Sequence, residues 1–182
     1  MKYLAKFLLI VGLVIIFSTS FTALAQNSAA SAQNQASVYS VSYNSFANVK
    51  VGMTISEAAK ALGTRLIREA NQDDSCYYVT PNNNFKGVAF MMTNKRIARI
   101  DINNKSYATE RGARVGDAES RIKQLYKGMV KVSRHPYDER GHYLQIDIKG
   151  TKYSMIFETD GKRVTSYRVG KREEVGYIEG CS

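Results

Sequence analysis

The chain lacks most of the features on which common catalytic sites depend. It has two histidines, two cysteines and no tryptophan among its 182 residues. No serine or cysteine stands in a Gly-x-Ser-x-Gly turn, and no glycine-rich phosphate loop precedes a helix. His135 and His142, with Asp138 and Glu139 between them, match no common spacing of metal ligands. We therefore expect a non-enzymatic protein with no catalytic residues, no metal site and no cofactor.

The N-terminus has the three parts of a secretory signal. Lys2 and Lys6 provide a basic start, residues 7–17 form an uncharged apolar run, and residues 23–25 read Ala-Leu-Ala. This pattern predicts a signal peptide over residues 1–25. An uncleaved membrane anchor is the alternative, although the apolar run is shorter than the roughly 20 residues that a spanning helix needs. We expect a periplasmic or secreted protein, tethered to the inner membrane if the signal stays attached.

Acidic residues are scarce, with 16 aspartates and glutamates against 26 lysines and arginines and a formal net charge of +10. Loss of Lys2 and Lys6 with the signal peptide removes two of these charges and leaves +8. Outside the cytoplasm, such a charge favours acidic proteins, anionic glycolipid or an anionic membrane surface as partners, and the compartment argues against nucleic acid. A solvated basic face without a partner is the alternative.

The chain divides into a linker and a folded domain. Residues 26–41 begin with a small, polar, low-complexity segment that cannot bury a core, so they are predicted to be a flexible linker. Residues 42–182 form the domain. An even cysteine count in an exported chain predicts a disulfide between Cys76 and Cys181, which would close a long loop. Unpaired thiols or pairing between chains are the alternatives.

Two short sequence patterns occur twice. Val51–Thr54 is similar to Val115–Ala118, and Lys95–Ile97 is similar to Lys162–Val164. The segment Thr54-Ile55-Ser56-Glu57 has the form of a helix capping box. In the second copy, Asp117 is predicted to be the N-cap of a helix. Seven residues are expected to shape these turns and helix ends: Gly52, Met53, Thr54, Glu57, Gly63, Gly116 and Asp117.

Strand-like runs follow each helix and are separated by turn residues. They are Cys76–Thr80, Gly87–Thr93, Arg96–Ile102, Val130–Ser133, His142–Ile148, Lys152–Glu158, Arg163–Gly170 and Val175–Ile178. The sequence therefore predicts an α+β fold of two tandem repeats, about residues 45–107 and 108–182. Each repeat would be one helix followed by an antiparallel β-meander, with the helices packed on one side of the sheet.

This arrangement resembles a known superfamily of small envelope proteins. A Gly-Met-Thr turn opens a capped helix that ends at Leu-Gly, and hairpins follow, as in the β-lactamase inhibitor protein and the small lipoprotein subunit of the outer-membrane β-barrel assembly machine. Residues 51–63 carry the resemblance, and residues 115–128 match without the Met-Thr pair. The resemblance implies a helix-plus-sheet layer fold whose members bind other proteins. The chain departs from the lipoprotein in lacking a lipid-bearing cysteine and from the inhibitor in its strong positive charge.

The candidate binding residues lie in one loop and one basic cluster. The loop over residues 134–140 combines aromatic, cationic and hydrogen-bonding side chains, which are enriched at interfaces, and an ordinary polar loop is the alternative. The basic cluster lies near the C-terminus. The candidate binding residues are Arg134, His135, Tyr137, Arg140, Lys162, Arg163 and Arg168.

These observations favour a periplasmic protein-binding module that supports an envelope-associated assembly, such as a secretion or outer-membrane machine. Two alternatives remain open at this stage. One is an inhibitor of an enzyme, and the other is a binder of anionic glycolipid or cell-wall polymer, whose affinity would fall steeply with salt.

Overall fold

The computed structural model describes residues 39–70, 72–82 and 84–181. The predicted signal peptide and most of the predicted linker lie outside the described residues. Within the described ranges, no helix is both long and apolar enough to cross a membrane.

The described chain contains two antiparallel sheets and three short helices. The small sheet consists of β1 (Val41–Ser42), β2 (Ser45–Phe46) and β3 (Val49–Lys50). The strands of the large sheet are β4 (Leu66–Arg68), β5 (Cys76–Pro81), β6 (Val88–Thr93), β7 (Arg96–Ile102), β8 (Val130–Arg134), β9 (His142–Asp147), β10 (Tyr153–Thr159) and β11 (Val164–Lys171). The helices are α1 (Ile55–Leu62), α2 (Glu119–Leu125) and α3 (Arg172–Val175).

The predicted fold class, α+β with two helix-plus-meander repeats, is wrong, because the described chain is mostly β. Its strand order is β4-β5-β6-β7-β11-β10-β9-β8, which is one continuous antiparallel sheet of eight strands. β7 pairs with β11 through Ile100 with Val169 and Ile102 with Tyr167. The helices have only eight, seven and four residues. The main-chain bonds at the β7–β11 junction therefore join the two halves of the chain into one sheet.

The two similar sequence patterns correspond to two turns with the same local contacts. Gly52 has φ 98° and Gly116 has φ 91°, a backbone conformation that favours glycine. The N–H groups of these glycines donate to main-chain carbonyls of the large sheet at 2.7 and 2.8 Å. Their carbonyls accept hydrogen bonds of 2.9 Å from Arg96 and Arg163 respectively. Each turn is thus fixed to a hairpin of the large sheet.

The helix caps follow the sequence expectation in α1 and differ in α2. The Thr54 amide donates to the Glu57 carboxylate at 2.8 Å and the Glu57 amide donates to the Thr54 hydroxyl at 3.3 Å, which confirms the capping box. Gly63 ends α1 with φ 65°. The residue that precedes α2 is Ala118, not Asp117. The Asp117 carboxylate instead accepts from the Arg114 amide at 3.0 Å, so it closes the preceding turn.

The apolar core lies on one face of the large sheet, where α1, α2 and the small sheet cover it. Ala58 of α1, Ile122 of α2 and Phe46 of the small sheet are all fully buried in this core. The large sheet contributes Val79, Phe90, Ile100, Ile102, Leu144, Ile146, Phe157, Tyr167 and Val169. Burial of each large side chain stabilises the fold by roughly 1.5–3 kcal/mol. The opposite face of the large sheet is free of these layers.

The opposite face combines charged side chains with a small apolar cluster of Tyr143, Ile156 and Val175. Its residues alternate with those of the core along each strand, because successive residues of a strand point to opposite sides. Arg99 and Asp101 of β7 lie there, and Arg168 of β11 lies beside Asp101 in the pairing register. Residues 172–181, which we call the C-terminal strap, cover part of this face. The expected strand Val175–Ile178 is wrong. Residues 172–175 form α3, and residues 176–181 contain no strand.

Candidate binding surface

A disulfide holds the end of the C-terminal strap on the large sheet. Cys76, the first residue of β5, is bonded to Cys181, 105 residues further along the chain. This confirms the predicted pairing. In the chain-entropy description, closing so long a loop stabilises the fold by about 4–5 kcal/mol. The strap is therefore fixed at both of its ends, by β11 at one and by the disulfide at the other.

Arg99 holds the middle of the strap from beneath. It is 4% exposed, and its Nη1 atom donates to the main-chain carbonyls of Glu174 at 2.9 Å and Tyr177 at 2.8 Å. Its Nε atom pairs with the Asp101 carboxylate at 2.9 Å, and its Nη2 atom donates to the Tyr78 hydroxyl. Burial raises the pKa of Tyr78 to about 12, so this phenol stays protonated at neutral pH. Asp101 is half-buried, and burial also raises its pKa, although Arg99 opposes that shift.

Arg168 makes a second attachment to the strap. It is 5% exposed, and its Nε atom donates to the Val175 carbonyl at 2.7 Å. Its Nη1 atom lies 3.1 Å from the Glu158 carboxylate, and its guanidinium lies 4.9 Å from the centre of the Tyr143 ring. This candidate binding residue is thus enclosed beneath the strap, where it anchors the main chain.

His135 organises the loop over residues 134–140. Its Nδ1 atom accepts the N–H groups of Tyr137 and Asp138, each at 3.0 Å. The other ring nitrogen, Nε2, lies 3.0 Å from the Glu158 carboxylate. A ring nitrogen that accepts carries no proton, so in the neutral ring Nε2 is the donor to Glu158. The imidazole also packs edge-on against Tyr143, with 4.9 Å between ring centres. His135 therefore shapes the loop from inside.

Tyr137 connects this loop to the strap. Its side chain is 68% exposed, and its hydroxyl donates to the Glu179 carboxylate. This hydrogen bond raises the pKa of Tyr137. In the strap, Tyr177 is 37% exposed and Ile178 is 48% exposed. We call Tyr137, Tyr177 and Ile178 the aromatic patch.

The other candidate residues lie at two places. Arg134 is exposed at the end of β8, and Arg140 is exposed in the loop. Gly161, in the turn between β10 and β11, packs against the main chain of Arg140, where a Cβ would lie 2.1 Å from the carbonyl oxygen. This contact brings the exposed Lys162 next to the loop. The Arg163 side chain does not join this loop and instead donates a hydrogen bond to the Gly116 carbonyl.

The sequence interpretation did not identify several residues of this surface. Glu179, Tyr177 and Ile178 lie in a strap whose position depends on the disulfide. The available signal was the adjacent pair of Tyr177 and Ile178 close to Cys181. The sequence interpretation also did not identify Asp147 of β9 as a residue of this surface.

Asp147 links β8 to the strap. Its carboxylate lies 2.8 Å from Lys131 Nζ of β8 and 3.2 Å from Arg172 Nε of α3. The hydrogen bond from Lys131 is the main cause that holds the pKa of Asp147 well below its usual range, and bonds from Gln145 and Ser154 add to it. Asp147 is therefore ionised at neutral pH and bridges two cations.

Across the ranges that the structure covers, no group of three histidine, cysteine, aspartate or glutamate side chains is placed to hold a metal ion. The arrangement around the strap consists of buried ion pairs beneath exposed aromatic and apolar side chains. Such a surface can bind another molecule by contact and desolvation.

The comparisons with known proteins give structural likeness and no family. No protein-family model and no curated protein matches the chain. The uncharacterized protein YfeY from Escherichia coli is a similar solved structure, with 13% sequence identity and a TM-score of 0.49. The likeness covers 72% of this chain and 99% of that chain. A TM-score of 0.49 carries no argument about fold or function.

Proposed function

We propose that this chain is a non-catalytic protein-binding module of the cell envelope, which binds its partner through the aromatic patch and supports an envelope-associated assembly. The observation that carries the proposal is the fixed position of the patch. Tyr137 comes from a loop and Tyr177 from the strap, yet the hydrogen bond from Tyr137 to Glu179 joins the two segments.

The chemistry of the patch suits protein recognition. Tyrosine supplies a large contact area with few rotatable bonds, and aromatic residues and arginine are enriched at interfaces. Arg140 lies in the loop that carries Tyr137 and Lys162 lies next to that loop, and their positive charge favours an acidic partner surface. Because the patch rests on a disulfide and two buried arginines, binding requires little ordering of the surface, which lowers its entropic cost.

The proposed location draws on the disulfide. A disulfide of this kind is compatible with a non-cytoplasmic compartment, since thiols stay reduced in the cytosol. The N-terminal signal pattern supports export to the periplasm.

Photo-crosslinking in living cells tests the proposal. The full chain carries a photoreactive phenylalanine analogue at Tyr177, and a matched variant carries it at Lys105, which is exposed but outside the patch. We expect a discrete product with an envelope protein from Tyr177 and none from Lys105. Adding Tyr137→Ser should weaken the product, because it removes a patch side chain and its bond to Glu179. Identical products from both positions, or none above background, would refute the proposal.

A further inference from the structure

The free edge of the large sheet at β8 has the features of a second recognition element. β8 is the last strand in the sheet order, and its residues 131–134 are all exposed. An unpaired edge is a template for an added strand unless it is short, covered or interrupted. Here the edge continues directly into the loop that carries Tyr137.

The direction of the main-chain groups of β8 follows from its pairing with β9. The His135 amide donates to the Gly141 carbonyl at 3.0 Å, in line with the β8–β9 register. Residues of an antiparallel pair alternate between bonding to the partner strand and pointing away. Lys131 and Ser133 therefore bond to β9. The N–H and carbonyl groups of Val130, Val132 and Arg134 point outward from the sheet.

The side chains along this edge indicate what could add to it. Val132 is 50% exposed and faces the same side as Arg134. Lys131 faces the other side, and its side chain stays 73% exposed despite the ion pair with Asp147. The Arg134 guanidinium has no ion-pair partner within the ranges that the structure describes. The edge thus presents one apolar position between two cations.

We propose that β8 binds an extended, acidic segment of the partner protein as a ninth, antiparallel strand, with an apolar residue opposite Val132 and acidic residues opposite Lys131 and Arg134. This inference rests on the proposed function and names the chemistry of its partner. Main-chain hydrogen bonds of such an added strand give affinity, and alternate side chains give specificity.

Charge complementarity favours this occupant over a second copy of the chain. Each copy has a formal net charge of +10 and would bring its own Lys131 and Arg134 to the shared edge. Like charges oppose docking, whereas acidic residues at those positions form cross-strand ion pairs. A segment that runs past Arg134 also reaches the loop with Tyr137, so both elements can contact one partner.

The test uses a labelled peptide, Thr-Glu-Thr-Val-Glu-Val-Thr, with blocked ends. Antiparallel pairing sets its first glutamate opposite Arg134, its first valine opposite Val132 and its second glutamate opposite Lys131. Fluorescence anisotropy measures binding of the peptide to the protein. The protein is the full chain, purified in the form that the expressing cells produce. We expect saturable binding with a Kd below about 1 mM. A peptide with lysines in place of the glutamates should bind at least about tenfold more weakly.

Two changes isolate the main-chain bonds. Val132→Pro removes the outward N–H but no bond to β9, and edge strands tolerate proline. N-methylation of the first valine of the peptide removes the matching donor and leaves the protein unaltered, so its result does not depend on whether the proline variant folds. Each change should weaken binding about fivefold or more. Val132→Ala keeps the N–H and should cost about threefold or less.

Two charge variants isolate the contribution of side-chain charge to peptide binding. Arg134→Glu should weaken binding about three- to tenfold. Lys60→Glu makes the same change in net charge on the exposed face of α1 and should have less than about a twofold effect.

Three results would overturn the inference. The first is the absence of saturable binding at about 1 mM, the expected upper limit of the Kd. The second is equal binding of the N-methylated and unmodified peptides, and the third is a dimer in sedimentation that Val132→Pro dissociates. The last would assign the edge to a second copy. None of them affects crosslinking from Tyr177, so failure of this inference is distinguishable from failure of the proposed function.

Discussion

The Nη1 atom of Arg99 donates a hydrogen bond of 2.8 Å to the main-chain carbonyl of Tyr177. The same guanidinium bonds to Glu174, three residues earlier, and pairs with Asp101 beneath it. A nearly fully buried arginine of the sheet thus holds the residue whose ring belongs to the aromatic patch. The position of the exposed surface therefore depends on charges that are not themselves at the surface.

Replacement of Arg99 by methionine should loosen the strap. The methionine keeps a long side chain, but it removes the arginine donor from the Glu174 and Tyr177 carbonyls and the ion pair from Asp101. We expect a loss of about 2–4 kcal/mol in the free energy of unfolding and faster chymotrypsin cleavage at Tyr177. Urea unfolding and timed proteolysis measure both effects.

The matched control for this variant is Arg65→Met. Arg65 is exposed, and its side chain makes no hydrogen bond or ion pair within the described residues. Its replacement should change stability by less than about 0.5 kcal/mol. Equal effects of the two variants would show that Arg99 does not anchor the strap.

Removal of the disulfide should destabilise the protein without unfolding it. In the double variant Cys76→Ser, Cys181→Ser, Arg99 and Arg168 still hold the strap, but the unfolded chain regains its full freedom. We expect a loss of about 2–5 kcal/mol, seen as a lower midpoint in urea. Reduction of the unaltered protein should lower its midpoint equally and leave the double variant unchanged. A reductant effect on the double variant would contradict this explanation.

The ion pairs of Asp147 should make stability depend on pH. Its pKa is lowered in the folded protein, so the stabilisation is fully present above the unfolded value of about 4 and is lost as pH falls below that value. Asp147→Asn should therefore be less stable than the unaltered protein at pH 7, and the difference should shrink toward pH 2–3. Urea midpoints across this pH range measure it.

The control for this variant is Asp74→Asn. Asp74 forms an ion pair with Arg68, and its side chain is 90% exposed. Such surface pairs contribute about 0–1 kcal/mol, so the difference at pH 7 should be small. A stability difference for Asp147→Asn that stays constant with pH would contradict the assigned role of its charge.

A glycine near the centre of the large sheet should resist substitution. At Gly170 of β11, φ is +144° and an added Cβ would lie 2.3 Å from the Ala98 carbonyl oxygen of β7. Gly170→Ala should therefore force β7 and β11 apart and cost more than about 2 kcal/mol. Gly150 also has a positive φ, +75°, but open space around it, so Gly150→Ala should cost about 1–2 kcal/mol. Thermal unfolding compares the two, and a smaller loss at Gly170 would argue against the tight β7–β11 contact.

Local features of the fold could be predicted from the sequence. The capping box at Thr54 and Glu57 depends on four neighbouring residues, and it forms as expected. Seven strands of the large sheet follow alternation or turn residues and lie within one or two residues of their predicted bounds. The three strands of the small sheet have two residues each, which is too short for alternation to be visible.

The arrangement of the whole could not be predicted, because it depends on contacts between distant residues. Pairing of Ile102 with Tyr167 joins the two halves, and no local pattern encodes it. Arg168 was predicted to be a surface cation because arginine is mostly exposed. The structure buries it, since the strap that covers it is held there by a disulfide to β5, three strands away from β11 in the sheet.

In the part of the chain that the structure describes, the hydrogen bonds from Arg99 and Arg168 to the strap all go to main-chain carbonyls, those of Glu174, Val175 and Tyr177. Every amino acid supplies such a carbonyl. The attachment is therefore indifferent to which side chains the outer positions 177 and 178 carry. These two positions can therefore accept other side chains, so that recognition can diversify while the scaffold beneath them stays unchanged.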